Sequence, residues 1–283
     1  MKILESVYPL LKTFLITLLF LALLSACGPE KKTWVALGDS ITYLNDHHDE
    51  TGNRITKGYL TRVCELMPNL DYVNKGYNGW TAVRIADEIE SLGLNKADAY
   101  TVFLGTNDWW HGKPIGTFDD YKNDSGNETF YGAYKTIIKK LTSLNTKAEI
   151  ILITPMQRGD FVYIADMNNH AYGSYNEKNG QSLSAFADAI KAIGGAEGFK
   201  VADVYYESGI THENVVKYKR LKDPETGAYR NYDYPDYLNV PFNPEKDEYP
   251  YPVEAVGMTY DGLHPSDAGY EILAQMLVKL LKK

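Results

Sequence analysis

Short apolar runs alternate with longer amphipathic segments along most of the chain. Most of the short runs are rich in apolar side chains, which is typical of strands that are buried on both faces; they lie at residues 34–37, 70–76, 99–105, 148–155 and 199–206. The longer segments place apolar residues at helical spacing and lie at 58–67, 81–93, 130–144, 182–195 and from Ser266 onward. The alternation predicts an α/β domain in three layers, with a five-stranded parallel sheet between helices.

Two segments interrupt this alternation. Residues from about 109 to 127 and from about 207 to 258 are polar, aromatic and rich in Gly or Pro, and they show no core pattern of their own. We therefore predict two insertions on a single domain that covers residues 27–283. Tyrosines of the second insertion suit either contact with sugar rings or packing of the insertion on the domain; they are Tyr218, Tyr229, Tyr232, Tyr234, Tyr237, Tyr249 and Tyr251.

The N-terminal residues have the order of an export signal. Lysines precede an apolar run at 14–24, and the small residues of LLSAC lead into Cys27. This end resembles the lipobox of bacterial lipoproteins, and the resemblance implies a signal peptide over residues 1–26, cleavage before Cys27 and acylation of its thiol. An uncleaved anchor helix and an ordinary secretory signal are the alternatives. We expect a protein of the cell envelope that is attached to a membrane by its lipid.

Charge and cysteine content narrow the function classes. The formal net charge is −8 and the acidic residues are scattered, which disfavours nucleic acid or an anionic membrane surface as a partner. Cys64 lies on the apolar face of a predicted helix, and we expect it to pack in the core without a disulfide. The sequence lacks a Walker loop, a G-x-S-x-G elbow and a dinucleotide fingerprint, and we expect no cofactor.

One cluster invites comparison with a metal site. His47 and His48 stand beside carboxylates in NDHHDE, at residues 45–50. Adjacent histidines on an extended segment point apart, and no distant set of His, Asp or Glu at ligand spacing completes a site. We therefore expect a solvated loop here, and no metal.

Polar residues follow the first three predicted strands. Gly38, Asp39 and Ser40 follow the first strand, NKGYNG (74–79) the second, and GTND (105–108) the third. The carboxyl ends of parallel strands share one edge of a sheet, so these loops should meet there. DGLHP (261–265) reaches the same edge if the last helix runs antiparallel to the strands. A hydroxyl, an imidazole, a carboxylate and amide donors are the groups that acyl transfer requires.

This combination resembles the SGNH or GDSL hydrolases, a family of esterases and lipases. The residues that define the family would be Ser40, Gly76, Asn107 and His264, in the family's order, and the motifs span nearly the whole mature chain. Ile41 replaces the usual leucine of the first motif, which changes packing only. Each motif alone also has an ordinary structural explanation, such as a turn, a helix cap or a buried histidine. Their joint position at one sheet edge favours the hydrolase.

The resemblance implies a role for each residue. Ser40 would attack an ester carbonyl, His264 would take its proton and pass it to the leaving alcohol, and Asp261 would hold the imidazole tautomer. The backbone amides of Ser40 and Gly76, with the side-chain amide of Asn107, would form the oxyanion hole.

The substrate is less well defined by the sequence. Asp39, Trp109, Trp110 and His111 flank the expected nucleophile and oxyanion donor, and we expect them to contact substrate. An aromatic, polar rim favours a glycan that carries short acyl groups, such as acetyl, over a long acyl chain. A lysophospholipase or thioesterase and a catalytically inert glycan-binding lipoprotein are the alternatives.

Overall fold

A computed structural model of the chain describes residues 30–282, so the predicted signal peptide and Cys27 lie outside the described residues. The strands are β1 Lys32–Gly38, β2 Leu70–Gly76, β3 Ala99–Phe103, β4 Glu149–Ile153, β5 Phe161–Val162, β6 His170–Ala171, β7 Lys200–Ala202, β8 Lys219–Lys222 and β9 Tyr229–Tyr232. A five-stranded parallel sheet has the order β2-β1-β3-β4-β7. The predicted three-layer α/β fold with a five-stranded parallel sheet is thereby confirmed, and its strand order is that of flavodoxin-like folds.

Helices cover both faces of this sheet. They are α1 Ser40–Tyr43, α2 Tyr59–Leu66, α3 Ala82–Asp87, α4 Thr106–Trp110, α5 Phe118–Asn123, α6 Phe130–Leu144, α7 Leu183–Glu197, α8 Val204–Glu207 and α9 Asp267–Leu281. Helices α3, α6 and α7 pack on one face of the sheet, and α2 and α9 pack on the other. Each face therefore has its own buried apolar layer, as expected for strands that are apolar on both sides.

Two predicted elements are shorter than expected. The helix predicted at 81–93 ends at Asp87, and residues 88–92 continue as turns up to Gly93, which has a φ of +59°. The strand predicted at 199–206 ends at Ala202, because Asp203 caps α8 by accepting a hydrogen bond from the backbone N–H of Tyr206. The apolar run continues past the strand because Val204 packs in the same core layer.

The register places the ends of the central strands together. Gly38 pairs with Gly76 on one side and with Phe103 on the other, so β1, β2 and β3 end at the same level of the sheet. The chain crosses from one side of β1 to the other between β2 and β3. Such a topological switch point opens a crevice at the carboxyl edge, where ligands bind in open α/β sheets.

The second insertion differs from its prediction, because its apolar residues form a small core together with Val162 of β5. Val216, Leu221, Tyr237 and Tyr251 are buried against one another beside the antiparallel hairpin of β8 and β9. None of the tyrosines predicted as a possible rim is exposed. All seven are buried or half-buried, which favours packing of the insertion on the domain.

Cys64 is half-buried in the layer between the sheet and α2, and burial raises the pKa of its thiol to about 11, which favours the inert thiol form. Between residues 30 and 282, every helix falls short of the length and apolar character that crossing a membrane requires.

Candidate active site

Ser40 lies at the point where β1 turns sharply into α1. A side chain at Gly38 would place its Cβ 2.1 Å from Thr42 Oγ1, so glycine is needed for the helix to start directly above the strand end. Asp39 caps that helix by accepting a hydrogen bond from the backbone N–H of Ile41 at 3.0 Å. The abrupt turn presents the hydroxyl of Ser40 at the sheet edge.

His264 connects Ser40 to Asp261. The Nε2 of His264 lies 2.9 Å from Ser40 Oγ, and its Nδ1 lies 2.6 Å from Asp261 Oδ2. The other carboxylate oxygen of Asp261 accepts the backbone N–H groups of Leu263 at 3.0 Å and His264 at 2.7 Å. One turn therefore fixes both the carboxylate and the imidazole, and the structure brings together the three residues predicted for acyl transfer.

Aromatic rings hold the imidazole from two sides. The ring of Tyr260 stacks on His264 at an interplanar angle of 22°, and Phe161 meets it edge-on with centroids 5.3 Å apart. His264 is only 6% exposed. Little room remains for the imidazole to rotate away from Ser40.

The structure does not place Gly76, the glycine predicted for the oxyanion hole, in the cavity wall. Gly76 is the last residue of β2, its N–H donates to Asn74 Oδ1 at 2.9 Å, and a Cβ there would lie 2.1 Å from the backbone nitrogen of Tyr43. Its smallness serves packing, and its amide is already used. Gly79, three residues on, lines the same cavity as Ser40 and His264. Within residues 30–282, the N–H of Gly79 has no protein acceptor.

Asn107 reaches the same cavity from the loop after β3. Its Nδ2 donates one hydrogen to the carbonyl oxygen of Trp80 at 3.0 Å, and its side chain lines the cavity beside Ser40. The second hydrogen of that amide remains for a ligand. Asn107 therefore lies beside the loop of Gly79 at the cavity, where the sequence predicts it.

Asp108 joins these two loops. Its carboxylate accepts the backbone N–H of Ala82 at 2.8 Å and that of Val83 at 3.3 Å, at the start of α3. Burial raises the pKa of Asp108 to about 7 and that of Asp39 to about 6. These two buried carboxyl groups belong to the chain neighbours of cavity residues, Asp39 next to Ser40 and Asp108 next to Asn107.

Two of the predicted substrate contacts are placed elsewhere. The carboxyl of Asp39 faces the protein interior as a helix cap and does not line the cavity. Trp109 is fully buried in the core, where its Nε1 donates to the carbonyl oxygen of Gln181, because α4 turns it away from the cavity. Trp110 and His111 do line the cavity, as predicted.

The cavity has a volume of about 330 Å³. Much of its wall comes from residues 158–171, a segment for which the sequence predicted no element and which contains the short antiparallel pair β5–β6. Some of the wall residues that sequence reasoning missed lie within stretches that it singled out without giving them a role; these are Glu50, Asn78, Gly79 and Leu263. The others belong to no motif or periodic pattern that the sequence shows; they are Leu44, Arg158, Phe161, Tyr163, Asn169, Ala171 and Tyr260.

His47 and His48 lie on short turns near the cavity. The ring of His47 stacks on Tyr43 with centroids 3.8 Å apart, and its Nδ1 lies 3.7 Å from Glu50 Oε1. Between residues 30 and 282, no group of three or more His, Cys, Asp or Glu side chains is arranged to hold a metal ion.

Comparison with known proteins agrees with this geometry. The model of the GDSL-like lipase/acylhydrolase family matches residues 36–272. A possible lipase from Chitinophaga pinensis is 59% identical, with a TM-score of 0.88, over 89% of this chain and 98% of that one. A protein from Lactobacillus plantarum is 20% identical, with a TM-score of 0.57, over 90% and 98% of the two chains, and shares the fold. A search among curated proteins found no match.

The matching family model and the similar solved structure identify the class of protein: it is a carboxylic ester hydrolase. The chain belongs to the GDSL-like lipase/acylhydrolase family.

Proposed function

We propose that this protein is a serine esterase of the cell envelope that removes short acyl groups, such as acetyl, from carbohydrates. One observation carries the proposal: the hydrogen-bonded series Ser40, His264 and Asp261 opens into a small cavity that also holds amide donors. A serine hydroxyl is a weak nucleophile unless a base lies within hydrogen-bonding distance, and the 2.9 Å contact with His264 provides that base.

In the first half of the reaction, Ser40 Oγ forms a bond to the ester carbonyl carbon while its proton passes to His264 Nε2. Asp261 accepts the hydrogen on Nδ1, which keeps Nε2 free to act as the base and stabilises the imidazolium that forms. The tetrahedral intermediate then collapses. Its bond to the alcohol oxygen breaks, and His264 returns the proton to the leaving alcohol, so an acyl-serine remains.

In the second half, water attacks the acyl-serine with His264 again as the base, and the carboxylic acid leaves as Ser40 recovers its proton. The negative oxygen of each tetrahedral intermediate would accept hydrogen bonds from the backbone N–H groups of Ser40 and Gly79 and from Asn107 Nδ2. Donors that are fixed before the charge develops are usually the largest single catalytic contribution.

The cavity favours a short acyl group. Its volume of about 330 Å³ is at the low end for ligand pockets, and the aliphatic side chains that residues 30–282 contribute to its wall are Leu44, Ala171 and Leu263. A long acyl chain needs a continuous apolar groove, whereas most of this wall is aromatic or polar. These features support acetyl or a similarly small group over a fatty acid.

A second cavity next to the first supports a carbohydrate. It has a volume of about 450 Å³, and Phe161 and Ala171 belong to the walls of both cavities. Tyr172, Tyr175 and Phe242 supply aromatic faces there. The flat face and hydroxyl edge of tyrosine suit the stacking of sugar rings. A glycan bound in the second cavity could present its acetyl group to Ser40.

A chain-length series separates this proposal from its alternatives. We expect the kcat/KM for p-nitrophenyl esters to fall steeply beyond butyrate, and we expect acetate release from acetylated oligosaccharides. A maximum at eight carbons or longer would instead favour a lysophospholipase or thioesterase. If the protein hydrolyses none of the esters and does not react with a fluorophosphonate, the result would favour an inert glycan-binding lipoprotein.

The location in the cell envelope rests on the N-terminal sequence alone. A basic start, an apolar run and LLSAC before Cys27 support export and lipidation. Cells grown with an alkyne-bearing fatty acid should label the wild-type protein, while Cys27→Ala should abolish the label. Label that persists in Cys27→Ala would contradict lipidation at this residue.

A further inference from the structure

Arg158 is a buried arginine in the wall of the Ser40 cavity. Its side chain is only 1% exposed, and it lines the cavity together with Ser40 and His264. The indole rings of Trp109 and Trp110 lie 5.8 Å and 5.6 Å from its Cζ and limit its movement. The guanidinium is therefore held at a fixed place beside the groups proposed to react.

The hydrogen bonds of this guanidinium are few and long. Its Nε donates to the carbonyl oxygen of Gly159 and one terminal nitrogen, Nη2, to that of Ala171, both at 3.4 Å. The other terminal nitrogen, Nη1, makes no hydrogen bond within residues 30–282, and it is not sealed off by protein. A guanidinium offers five donors, so most of its capacity is unused.

The charge of Arg158 also lacks a partner. No carboxylate oxygen within residues 30–282 lies within 4.0 Å of its nitrogens. The acids that act on it electrostatically are engaged elsewhere: Asp160 pairs with Lys219 at 2.8 Å, and Asp261 with His264. Burial lowers the pKa of Arg158 to about 10, so the group still carries its charge at neutral pH.

An unpaired buried charge is costly, and proteins normally pair such charges or neutralise them. Glu50, an acid in the wall of the same cavity, does not pair with Arg158, because its oxygens accept hydrogen bonds from Tyr43 at 2.8 Å and from Asn78 at 3.4 Å. A second positive charge lies nearby, since Lys178 Nζ is 3.6 Å from the ring centroid of Trp110. The unpaired positive charge on this side of the cavity therefore favours the binding of an anion.

We propose that Arg158 binds a carboxylate of the substrate, so that the ester cleaved at Ser40 belongs to an acid in its acyl part or in its alcohol part, such as a uronic acid residue of a glycan. The inference rests on the proposed function for the site that it occupies. A carboxylate matches the planar fork of a guanidinium and accepts two of its hydrogens at once. It would satisfy the free donors and the unpaired charge together.

Two matched pairs of esters test this inference and locate the carboxylate. For the acyl part, 4-nitrophenyl hemiglutarate is compared with 4-nitrophenyl valerate; for the alcohol part, 4-acetoxybenzoate is compared with 4-acetoxybenzamide. A charged hydrogen bond in a buried site contributes about 1.5–3 kcal/mol, so we expect a kcat/KM about 10- to 100-fold higher for the anionic ester in one pair. Ratios at or below one in both pairs would overturn the proposal.

Substitutions assign the preference to Arg158. Arg158→Gln should bring the anionic-to-neutral ratio to one or below, and Arg158→Lys should leave an intermediate ratio, because it keeps the charge without the fork. Lys217→Gln removes the same charge from an exposed position and should leave the ratio at the wild-type value. An unchanged ratio in folded Arg158→Gln contradicts the proposal. If that variant fails to fold, the wild-type ratios and the ratio of Arg158→Lys still test the proposal.

A binding measurement separates this inference from esterase activity. Calorimetry with the wild-type protein would compare 4-hydroxybenzoate with 4-hydroxybenzamide, and glutaramate with glutaramide. Binding of a carboxylate but not of its amide partner supports the anion site even if all four esters resist hydrolysis, in which case only the proposed function fails. Absence of such binding, together with ester ratios at or below one, removes the anion site while the esterase proposal stands on its own results.

Discussion

Gly159 donates its backbone N–H to the carbonyl oxygen of Gly262 at 2.8 Å, which joins the cavity wall after β4 to the loop that carries His264. The N–H of Val162 donates to the carbonyl oxygen of Asp261 at 3.2 Å and strengthens the same junction. At Gly262, φ is +89° and a Cβ would lie 1.7 Å from the carbonyl oxygen of Asp160. The close approach of the two segments therefore depends on the absence of a side chain at Gly262.

Gly262→Ala should lower the free energy of unfolding by more than backbone strain alone. The left-handed conformation costs about 1–2 kcal/mol for a residue with a Cβ, and the contact with Asp160 adds to that cost. Gly227→Ala is the matched control, since its φ is +72° and nothing lies within 4 Å of the added Cβ. Urea unfolding of both variants measures the difference. Equal losses would show that the junction tolerates a side chain.

Asp261→Asn should lower kcat by about 10³- to 10⁴-fold, as expected when the imidazole of a serine hydrolase is held in the wrong tautomer. The amide would donate toward His264 Nδ1, so Nε2 would carry the hydrogen and could no longer accept one from Ser40. Asp267→Asn makes the same change on α9, where the carboxylate bonds Thr56 and Arg62 outside the cavity. Ester hydrolysis by that control should stay near the wild-type rate. Comparable losses in both variants would contradict the role of Asp261.

The choice between Gly79 and Gly76 as oxyanion donor can be tested by NMR. In protein whose Ser40 carries a phosphonyl group, the phosphonyl oxygen occupies the place of the oxyanion. A new hydrogen bond should move the amide proton of Gly79 downfield, whereas the amide of Gly76, which already donates to Asn74, should move little. A large shift at Gly76 with none at Gly79 would restore the original prediction.

The buried carboxyl of Asp39 should make stability depend on pH. Burial raises its pKa to about 6, above the ordinary 3.8, so between these values the folded protein holds a proton that the unfolded chain has released. Ionisation of Asp39 therefore destabilises the fold as the pH rises through this range. Asn at this position keeps a cap acceptor and lacks the ionisation.

The free energy of unfolding of Asp39→Asn relative to wild type should consequently increase from pH 4 to pH 7.5 and then level off. Urea titrations at half-unit intervals would measure this difference, in which the contributions of groups that do not interact with Asp39 cancel. A difference that stays constant with pH would mean that the carboxyl titrates alike in the folded and unfolded chain.

Much of the site was predictable because its signals are local. Ser40 and Asn107 follow strands that the hydrophobic pattern identifies, and the rule that parallel strands end at one edge brings their loops together. The spacing of Asp261 and His264 within one turn is likewise visible in the sequence. Long-range contact between Ser40 and His264 then follows from the direction of the last helix.

The remaining features of the site depend on structural details that the hydrophobic pattern of the sequence does not contain. Gly76 and Gly79 share one loop, and only the end of β2 shows which amide is already used. Trp109 and Trp110 are adjacent, and the short helix α4 turns the first into the core. Arg158 comes from a segment without periodicity, whose place is set by its bonds to the His264 loop.

Reaction with a fluorophosphonate tests the central claim most directly. Treated protein, digested and analysed by mass spectrometry, should carry one adduct on the peptide of Ser40, and His264→Ala should nearly abolish the reaction because the hydroxyl loses its base. An unreactive wild-type protein, or an adduct on any other residue, would contradict the assignment of Ser40 as the nucleophile.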